Sequence, residues 1–67
     1  HSLPSIHPDF RKLSFLRIRK VKSAGLLLIP YTVDDPDIFF RLVGEGVDGV
    51  FSNRPETLRG AWRERVR

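Results

Sequence analysis

The sequence predicts an α/β segment in which strands and helices alternate in the order (β)αβαβα and the strands run parallel. Two apolar runs, residues 26–33 and 47–52, have the length of strands, and each follows a helix-like segment that ends in glycine. Helix starts that contain proline come after both runs. Since strand–helix–strand connections of this kind are right-handed crossovers, we expect the two strands to be parallel neighbours.

Length limits what such a segment does alone. A folded chain of 67 residues buries only about 60% of the surface that its unfolded form exposes. No cysteine is present, so neither disulfides nor thiolate-bound zinc add stability. Two or three parallel strands cannot cover both of their faces. We therefore expect one segment, residues 1–67, to be the last part of a larger α/β sheet or barrel, packed on the remainder of its own barrel, with self-association possible if it is isolated.

The N-terminal third contains one short strand and one helix. Pro4 and Pro8 leave room for a strand only around Leu3–Ile6. A helix then begins after Ser14, a good N-cap residue, and ends before Gly25. The apolar face of this helix is predicted to consist of Phe15, Ile18, Val21 and Ala24.

Residues 26–33 are apolar at successive positions, the pattern of a strand buried on both faces. Pro30 cannot donate a hydrogen bond to a neighbouring strand, so a bulge or gap is expected near it. A second helix follows, with Asp35 as N-cap, Pro36 in the first position and Asp37 complementing the dipole. Its apolar face is predicted as Ile38, Phe39, Leu42 and Val43, and its end as Gly44 and Gly46.

The last strand is predicted at Val47–Ser52 and the last helix from Asn53–Glu56 onward. The apolar face of that helix is predicted as Leu58, Ala61, Trp62 and Val66. No run approaches the roughly 18 apolar residues of a membrane span. Because the chain does not begin with methionine, we expect it to have been processed, cleaved or trimmed. A missing signal pattern in such a chain says little about localisation, which stays unknown with the cytoplasm slightly favoured.

The net charge of +4 suggests anionic partners, yet the pattern does not favour nucleic acid. Arg17, Arg19, Lys20 and Lys22 scatter around the predicted helix and form no stripe. A non-catalytic basic module for anionic partners remains an alternative, as does a solvated barrel exterior. Steep salt dependence of binding would favour the module.

Three other motifs fail on context. Residues 44–49 match G-x-G-x-x-G, but a helix precedes them and a strand follows, the reverse of the dinucleotide fingerprint. His1 and His7 are spaced for neither a helix face nor a strand face, which does not favour a metal or catalytic role. Residues 34–37 lack the glycine and the distal acid of a calcium-binding loop.

Tyr31, Asp34 and Asn53 are the candidate site residues. Each comes at or just after the carboxyl end of a predicted strand, where α/β folds place their chemistry. The helix cap needs Asp35 and Asp37 but not Asp34, which leaves Asp34 for a substrate-facing role. For Asn53 a turn or N-cap role is at least as well supported.

Two strings taken together resemble the C-terminal part of the glycerophosphodiester phosphodiesterase family: Gly25 followed by LLLIPYTVDDP, and GVDGVFSNRPE at 46–56. The resemblance covers residues 13–58. It implies the last βα units of a TIM barrel that hydrolyses glycerophosphodiesters to an alcohol and glycerol phosphate. It also implies a divalent metal, Mg²⁺ or Ca²⁺, and histidine acid–base groups, whose His-Arg and Glu-x-Asp motifs are absent from this sequence.

What the resemblance carries onto this segment is a pocket wall and not the catalytic groups. It places Tyr31 where the family usually has tryptophan, Asp34 where asparagine is commoner, and Asn53 where aspartate is commoner. That exchange also resembles the related sphingomyelinase D-type phospholipases, so a phospholipase of that type is the alternative. Asp48 is expected to be structural, bonding backbone groups between barrel elements.

Overall fold

A computed structural model describes residues 4–66 of the chain as a mixed helix and strand segment. Two short strands are hydrogen-bonded in one sheet; one α-helix lies between them in the chain and two more follow the second strand. The elements are β1 (Ser5–Ile6), a 3₁₀ helix (Phe10–Lys12), α1 (Phe15–Ser23), β2 (Leu27–Leu28), α2 (Pro36–Glu45) and α3 (Pro55–Arg65).

β1 and β2 run parallel, as predicted, with Ser5 opposite Leu27 and Ile6 opposite Leu28. The pairing continues to an isolated parallel bridge between Asp9 and Tyr31. The predicted strand Leu3–Ile6 is confirmed for Ser5–Ile6, and Leu3 lies outside the described residues. The chain therefore leaves β1 and β2 at the same edge of the sheet, which we call the carboxyl edge.

The predicted strands at 26–33 and 47–52 are wrong in extent. Only Leu27–Leu28 is regular strand, and 47–52 is extended chain beside it without strand assignment. The segment 47–52 still runs parallel to β2, because Asp48 N–H donates to Leu28 O (2.9 Å) and Phe51 N–H donates to Pro30 O (2.9 Å). Between these two hydrogen bonds the chain advances by two residues after Leu28 and by three residues after Asp48. This mismatch is the bulge expected near Pro30, which has no N–H to donate to the neighbouring segment.

Helix ends follow the sequence closely. Ser14 Oγ accepts from Arg17 N–H, and Gly25 takes a φ of 78° just beyond α1. Asp35 caps α2 by accepting from Asp37 N–H (2.8 Å), with Pro36 in the first turn. The prediction that Gly44 ends α2 is wrong: Gly44 is helical, and the helix ends at Gly46, whose φ of 112° suits glycine.

The core lies between the sheet and helices α1 and α2. Its buried side chains are Ile18, Leu28, Val33, Leu42 and Val47. α3 contributes Leu58 and lays the Trp62 ring beside Phe39, with 6.0 Å between ring centroids. The predicted apolar face of α1 is only partly buried, since no described element covers Phe15 and Ala24.

Several large apolar side chains of the described residues remain exposed on both flanks of the segment. Phe15 and Leu16 are exposed on α1, Phe51 beside β2, and Val66 after α3. No helix among residues 4–66 is long and apolar enough to cross a bilayer.

Candidate functional site

The carboxyl edge brings the three predicted site residues to one end of the parallel run. Tyr31 lies on the bridge that extends β2, Asp34 follows three residues later, and Asn53 follows the neighbouring extended segment. Tyr31 is 45% exposed, and Asn53 is exposed as well. The Tyr31–Thr32 peptide bond is cis.

Asp34 joins the two loops of this edge. Its Oδ1 accepts from the Ser52 hydroxyl (2.8 Å) and from the Asn53 backbone N–H (2.8 Å). Ser52 Oγ in turn accepts from Arg54 N–H (2.9 Å). These bonds, the Ser52 hydroxyl first, hold the pKa of the Asp34 carboxyl below its usual range. The charged Asp34 carboxylate therefore holds the backbone of Asn53 in place through a hydrogen bond.

The alternative assignment of Asn53 as a helix cap is not what the structure shows. The residue before α3 is Arg54, and no side-chain hydrogen bond caps this helix. Pro55 occupies the first turn, where a missing N–H costs nothing. Asn53 instead contributes its backbone N–H to Asp34, and its side chain is exposed at the carboxyl edge.

Sequence reasoning missed a second group at this edge. Asp9, Phe10, Arg11, Tyr31 and Thr32 line a cavity of about 310 Å³. The Arg11 guanidinium binds Asp9 through two contacts, Nε to Oδ1 (3.1 Å) and Nη2 to Oδ2 (2.7 Å). That contact lowers the pKa of Asp9 to about 2. A usable signal was present, since Asp9 follows the first predicted strand as Asp34 follows the second.

At the opposite end of the parallel run, which we call the amino edge, Asp48 performs the structural role predicted for it. Its Oδ2 accepts from the backbone N–H of Leu28 (2.8 Å) and from Lys22 Nζ (2.6 Å). Lys22 Nζ also donates to Leu26 O (2.9 Å). The Lys22 ammonium first, and the Leu28 N–H second, lower the pKa of Asp48. The carboxylate therefore ties α1, β2 and residues 47–52 together.

His7 lies directly after β1, beside the parallel run. Its Nδ1 lies 3.2 Å from Ile29 O and its Nε2 lies 3.1 Å from Ser5 Oγ. Its ring meets Phe51 edge-on at 5.1 Å. These contacts place the His7 ring against Ile29 and Phe51. His1 lies outside the described residues.

The described residues do not fit a metal centre. No group of three or more His, Cys, Asp or Glu side chains within residues 4–66 converges on a point where an ion could bind. Asp34, the best-placed acid of the carboxyl edge, already receives two hydrogen bonds on Oδ1. Such donors compete with a cation for the same lone pairs.

A larger cavity of about 380 Å³ lies between α2, α3 and residues 47–52. Most of its walls are apolar side chains such as Phe39, Val43 and Leu58. Its one carboxylate, Asp48, is already paired with Lys22. Its other polar lining residues are Ser52, which donates to Asp34, and Arg59. Since two of its three polar side chains are engaged elsewhere, the carboxyl edge is the stronger candidate.

Comparisons with known proteins agree on one family. Residues 2–57 match the model of the glycerophosphoryl diester phosphodiesterase family. The chain is 45% identical over 49 residues to a glycerophosphodiester phosphodiesterase of Bacillus subtilis, covering 73% of this chain and 17% of that protein. It is 35% identical over 54 residues to one of Caldanaerobacter subterraneus, covering 81% and 22%. The chain thus spans about a fifth of the length of these relatives.

A solved structure shares the fold. A phosphodiesterase of Oleispira antarctica, in complex with the product sn-glycerol-3-phosphate, superposes with a TM-score of 0.84 at 24% identity. The match covers 88% of this chain and 24% of that protein. The arrangement of helices and parallel strands in this chain therefore matches part of the fold of that larger protein.

Proposed function

The chain belongs to the glycerophosphoryl diester phosphodiesterase family, and we propose that it forms the closing βα units of a TIM-barrel hydrolase. In this proposal the barrel hydrolyses a glycerophosphodiester with water to an alcohol and glycerol phosphate. The present segment supplies part of the pocket wall through Tyr31, Asp34 and Asn53. The observation that carries the proposal is the position of these residues at the carboxyl edge, where Asp34 accepts from the Asn53 N–H and Tyr31 extends the parallel run, because barrels of this type place their sites at that edge.

The remainder of a barrel is the partner that the exposed surfaces of this segment suit best. Apolar side chains are exposed on α1, beside β2 and after α3, so both flanks present surface that water solvates poorly. β1 and residues 47–52 each have β2 on one side only among the described residues. Further strands and helices on both flanks would cover these surfaces and close the sheet.

The three residues suit binding and positioning rather than bond cleavage. The exposed Tyr31 ring can pack on the carbon skeleton of a glycerol or alcohol group and exclude water from it. Asp34 holds the loop that carries Asn53, whose amide can accept from or donate to hydroxyls. An acid–base pair is not assembled from these residues. Positioning of this kind lowers the barrier by fixing the reacting groups in place.

We keep a divalent cation, Mg²⁺ or Ca²⁺, as a cofactor of the complete enzyme, with its ligands outside this segment. Such an ion stabilises charge on phosphoryl oxygens. The catalytic groups likewise lie elsewhere in the barrel. This segment then contributes to substrate affinity and orientation, so its variants should alter KM and kcat/KM more than they abolish turnover.

A hybrid enzyme tests the proposal. The matching segment of the Bacillus subtilis relative is replaced by this chain, and hydrolysis of glycerophosphocholine is measured. We expect the hybrid to hydrolyse the diester, and Tyr31→Ala and Asn53→Ala to lower its kcat/KM by about 10-fold each, the effect of one lost hydrogen bond or apolar contact. Arg17→Gln, a change on exposed α1, is the matched control. A folded hybrid without activity, or one that tolerates both site variants, would refute the proposal.

A further inference from the structure

The cavity between the 3₁₀ helix and the end of β2 has a polar wall that no step above uses. We infer that it is a second recognition point of the substrate site, at which Arg11 binds an oxyanion of the phosphodiester substrate beside Tyr31. This inference depends on the proposed function, because it requires Tyr31 to face the substrate. It adds a specificity-determining residue and a ligand chemistry to that site.

Backbone hydrogen bonds fix Arg11 next to Tyr31. Tyr31 N–H donates to Pro8 O (3.0 Å), and Phe10 N–H donates to Tyr31 O (2.8 Å). Asp9 and Tyr31 are parallel bridge partners. The two segments therefore cannot separate without breaking the sheet pairing. Arg11, one residue beyond Phe10, begins from a fixed point at the carboxyl edge, as a binding residue requires.

Asp9 orients the guanidinium. Asp9 Oδ1 accepts from both the backbone N–H (3.0 Å) and Nε (3.1 Å) of Arg11, and Oδ2 accepts from Nη2 (2.7 Å). The backbone bond alone caps the 3₁₀ helix, so the two side-chain bonds are additional to the cap. Their effect is to hold a long side chain in one direction, which removes part of the entropy that a ligand would otherwise have to offset.

The exposed member of the pair is the cation. The Arg11 side chain is 76% exposed and that of Asp9 only 17%. A guanidinium has five N–H donors, and Asp9 receives bonds from Nε and Nη2 alone. An approaching ligand therefore meets the guanidinium before it meets the carboxylate. Lys12, the next residue, adds positive charge at the same place.

A planar guanidinium fork matches carboxylate and phosphate oxygens, and the neighbouring Phe10 and Tyr31 suit the carbon atoms attached to them. In a glycerophosphodiester this oxyanion has two sources. One is the phosphodiester group itself, which every substrate shares. The other is a carboxylate on the alcohol, as in a serine ester, which a choline ester lacks.

Arg11→Gln in the complete enzyme, this segment together with the rest of its barrel, tests the inference. Initial rates are measured on glycerophosphocholine and glycerophosphoserine. Loss of a hydrogen bond to a charged group should lower kcat/KM by about 10- to 100-fold. A loss on both substrates assigns Arg11 to the phosphodiester, and a loss confined to glycerophosphoserine assigns it to the carboxylate of the alcohol. Arg17→Gln should leave both values unchanged.

Two further measurements separate binding from folding. Arg11→Lys keeps the charge without the fork and should fall between the wild type and Arg11→Gln. Inhibition by sn-glycerol 3-phosphate should weaken in parallel if the phosphodiester is the ligand. The melting temperature of Arg11→Gln should stay near that of Arg17→Gln, and a fall in activity matched by lost thermal stability would overturn the inference.

Failure of the inference differs from failure of the proposed function. If Arg11→Gln leaves kcat/KM unchanged for both substrates while Tyr31→Ala lowers it, the Arg11 assignment is wrong and the substrate site stands. If Tyr31→Ala, Asn53→Ala and Arg11→Gln all leave kcat/KM unchanged, the site itself is misplaced and both conclusions fail.

Discussion

An aspartate lies at each edge of the parallel run, but the two aspartates have different roles. At the amino edge, Asp48 accepts from Lys22 and from the Leu28 backbone, within the sheet ladder. At the carboxyl edge, Asp34 accepts from Ser52 and from the Asn53 backbone, in loops beside the exposed Tyr31. Both carboxyl pKa values are lowered by these bonds. Position along the strands, more than residue type, separates the structural Asp48 from Asp34, which we propose for the site.

The largest effect should come from removing the rest of the barrel. The isolated 67-residue chain retains both edges but assembles no metal centre or acid–base pair within residues 4–66. We expect no hydrolysis of glycerophosphodiesters above the buffer rate with Mg²⁺ or Ca²⁺ present, in an assay that detects the median enzyme kcat of about 10 s⁻¹ easily. Turnover by the isolated chain would show that the carboxyl edge is more than a pocket wall.

The next effect should come from Asp34→Ala in the complete enzyme. It removes the acceptor of both the Ser52 hydroxyl and the Asn53 N–H, so the loop that carries Asn53 is no longer held by these two hydrogen bonds. We expect kcat/KM to fall by about 10- to 100-fold, in line with the loss of hydrogen bonds to a charged acceptor. Asp34→Asn keeps an oxygen acceptor and should retain more activity, which steady-state kinetics on both variants will resolve.

Asp48→Ala is the matched change at the amino edge, and it should reverse the pattern. Loss of the Lys22 contact and of the Leu28 acceptor should lower the free energy of unfolding by about 1–2 kcal/mol. We expect kcat/KM to change less than twofold at temperatures where the variant is folded. Denaturant unfolding and kinetics on the same samples check this. A large loss of activity in folded Asp48→Ala would abolish the distinction between the edges.

The sequence predicted the features that depend on neighbouring residues and missed those that depend on contacts between distant residues. Ser14, Asp35 and Pro36 act within one turn of a helix, so spacing alone located the helix starts. The extent of the strands could not be read in this way. Pro30 signalled a bulge, but which residues paired across it depended on Asp48 reaching Leu28, a contact between positions twenty residues apart.

The same difference explains the candidate site. Tyr31, Asp34 and Asn53 lie at the carboxyl edge, since the order of elements fixes which edge they share, and their role as site residues stays a prediction. The hydrogen bond from the Ser52 hydroxyl to Asp34 joins two loops and leaves no local pattern in the sequence. Arg11 was missed because it precedes the first long apolar run, and only the bridge between Asp9 and Tyr31 brings it to the site.

The smallest expected effect is the change that acid pH makes in the stability contributed by the aspartates of the two edges. Asp48 has a lowered pKa when folded, so the stability it contributes is present above its unfolded pKa of about 3.9 and is lost as the pH falls through the folded value. The difference in unfolding free energy between wild type and Asp48→Asn should therefore shrink below about pH 4. Asp34→Asn should behave in the same direction, because its pKa is lowered as well. Melting temperatures of the wild type, Asp34→Asn and Asp48→Asn across this acid range will check the direction, and a difference from the wild type that does not shrink below about pH 4 would mean that the hydrogen bonds of that carboxylate do not persist in solution.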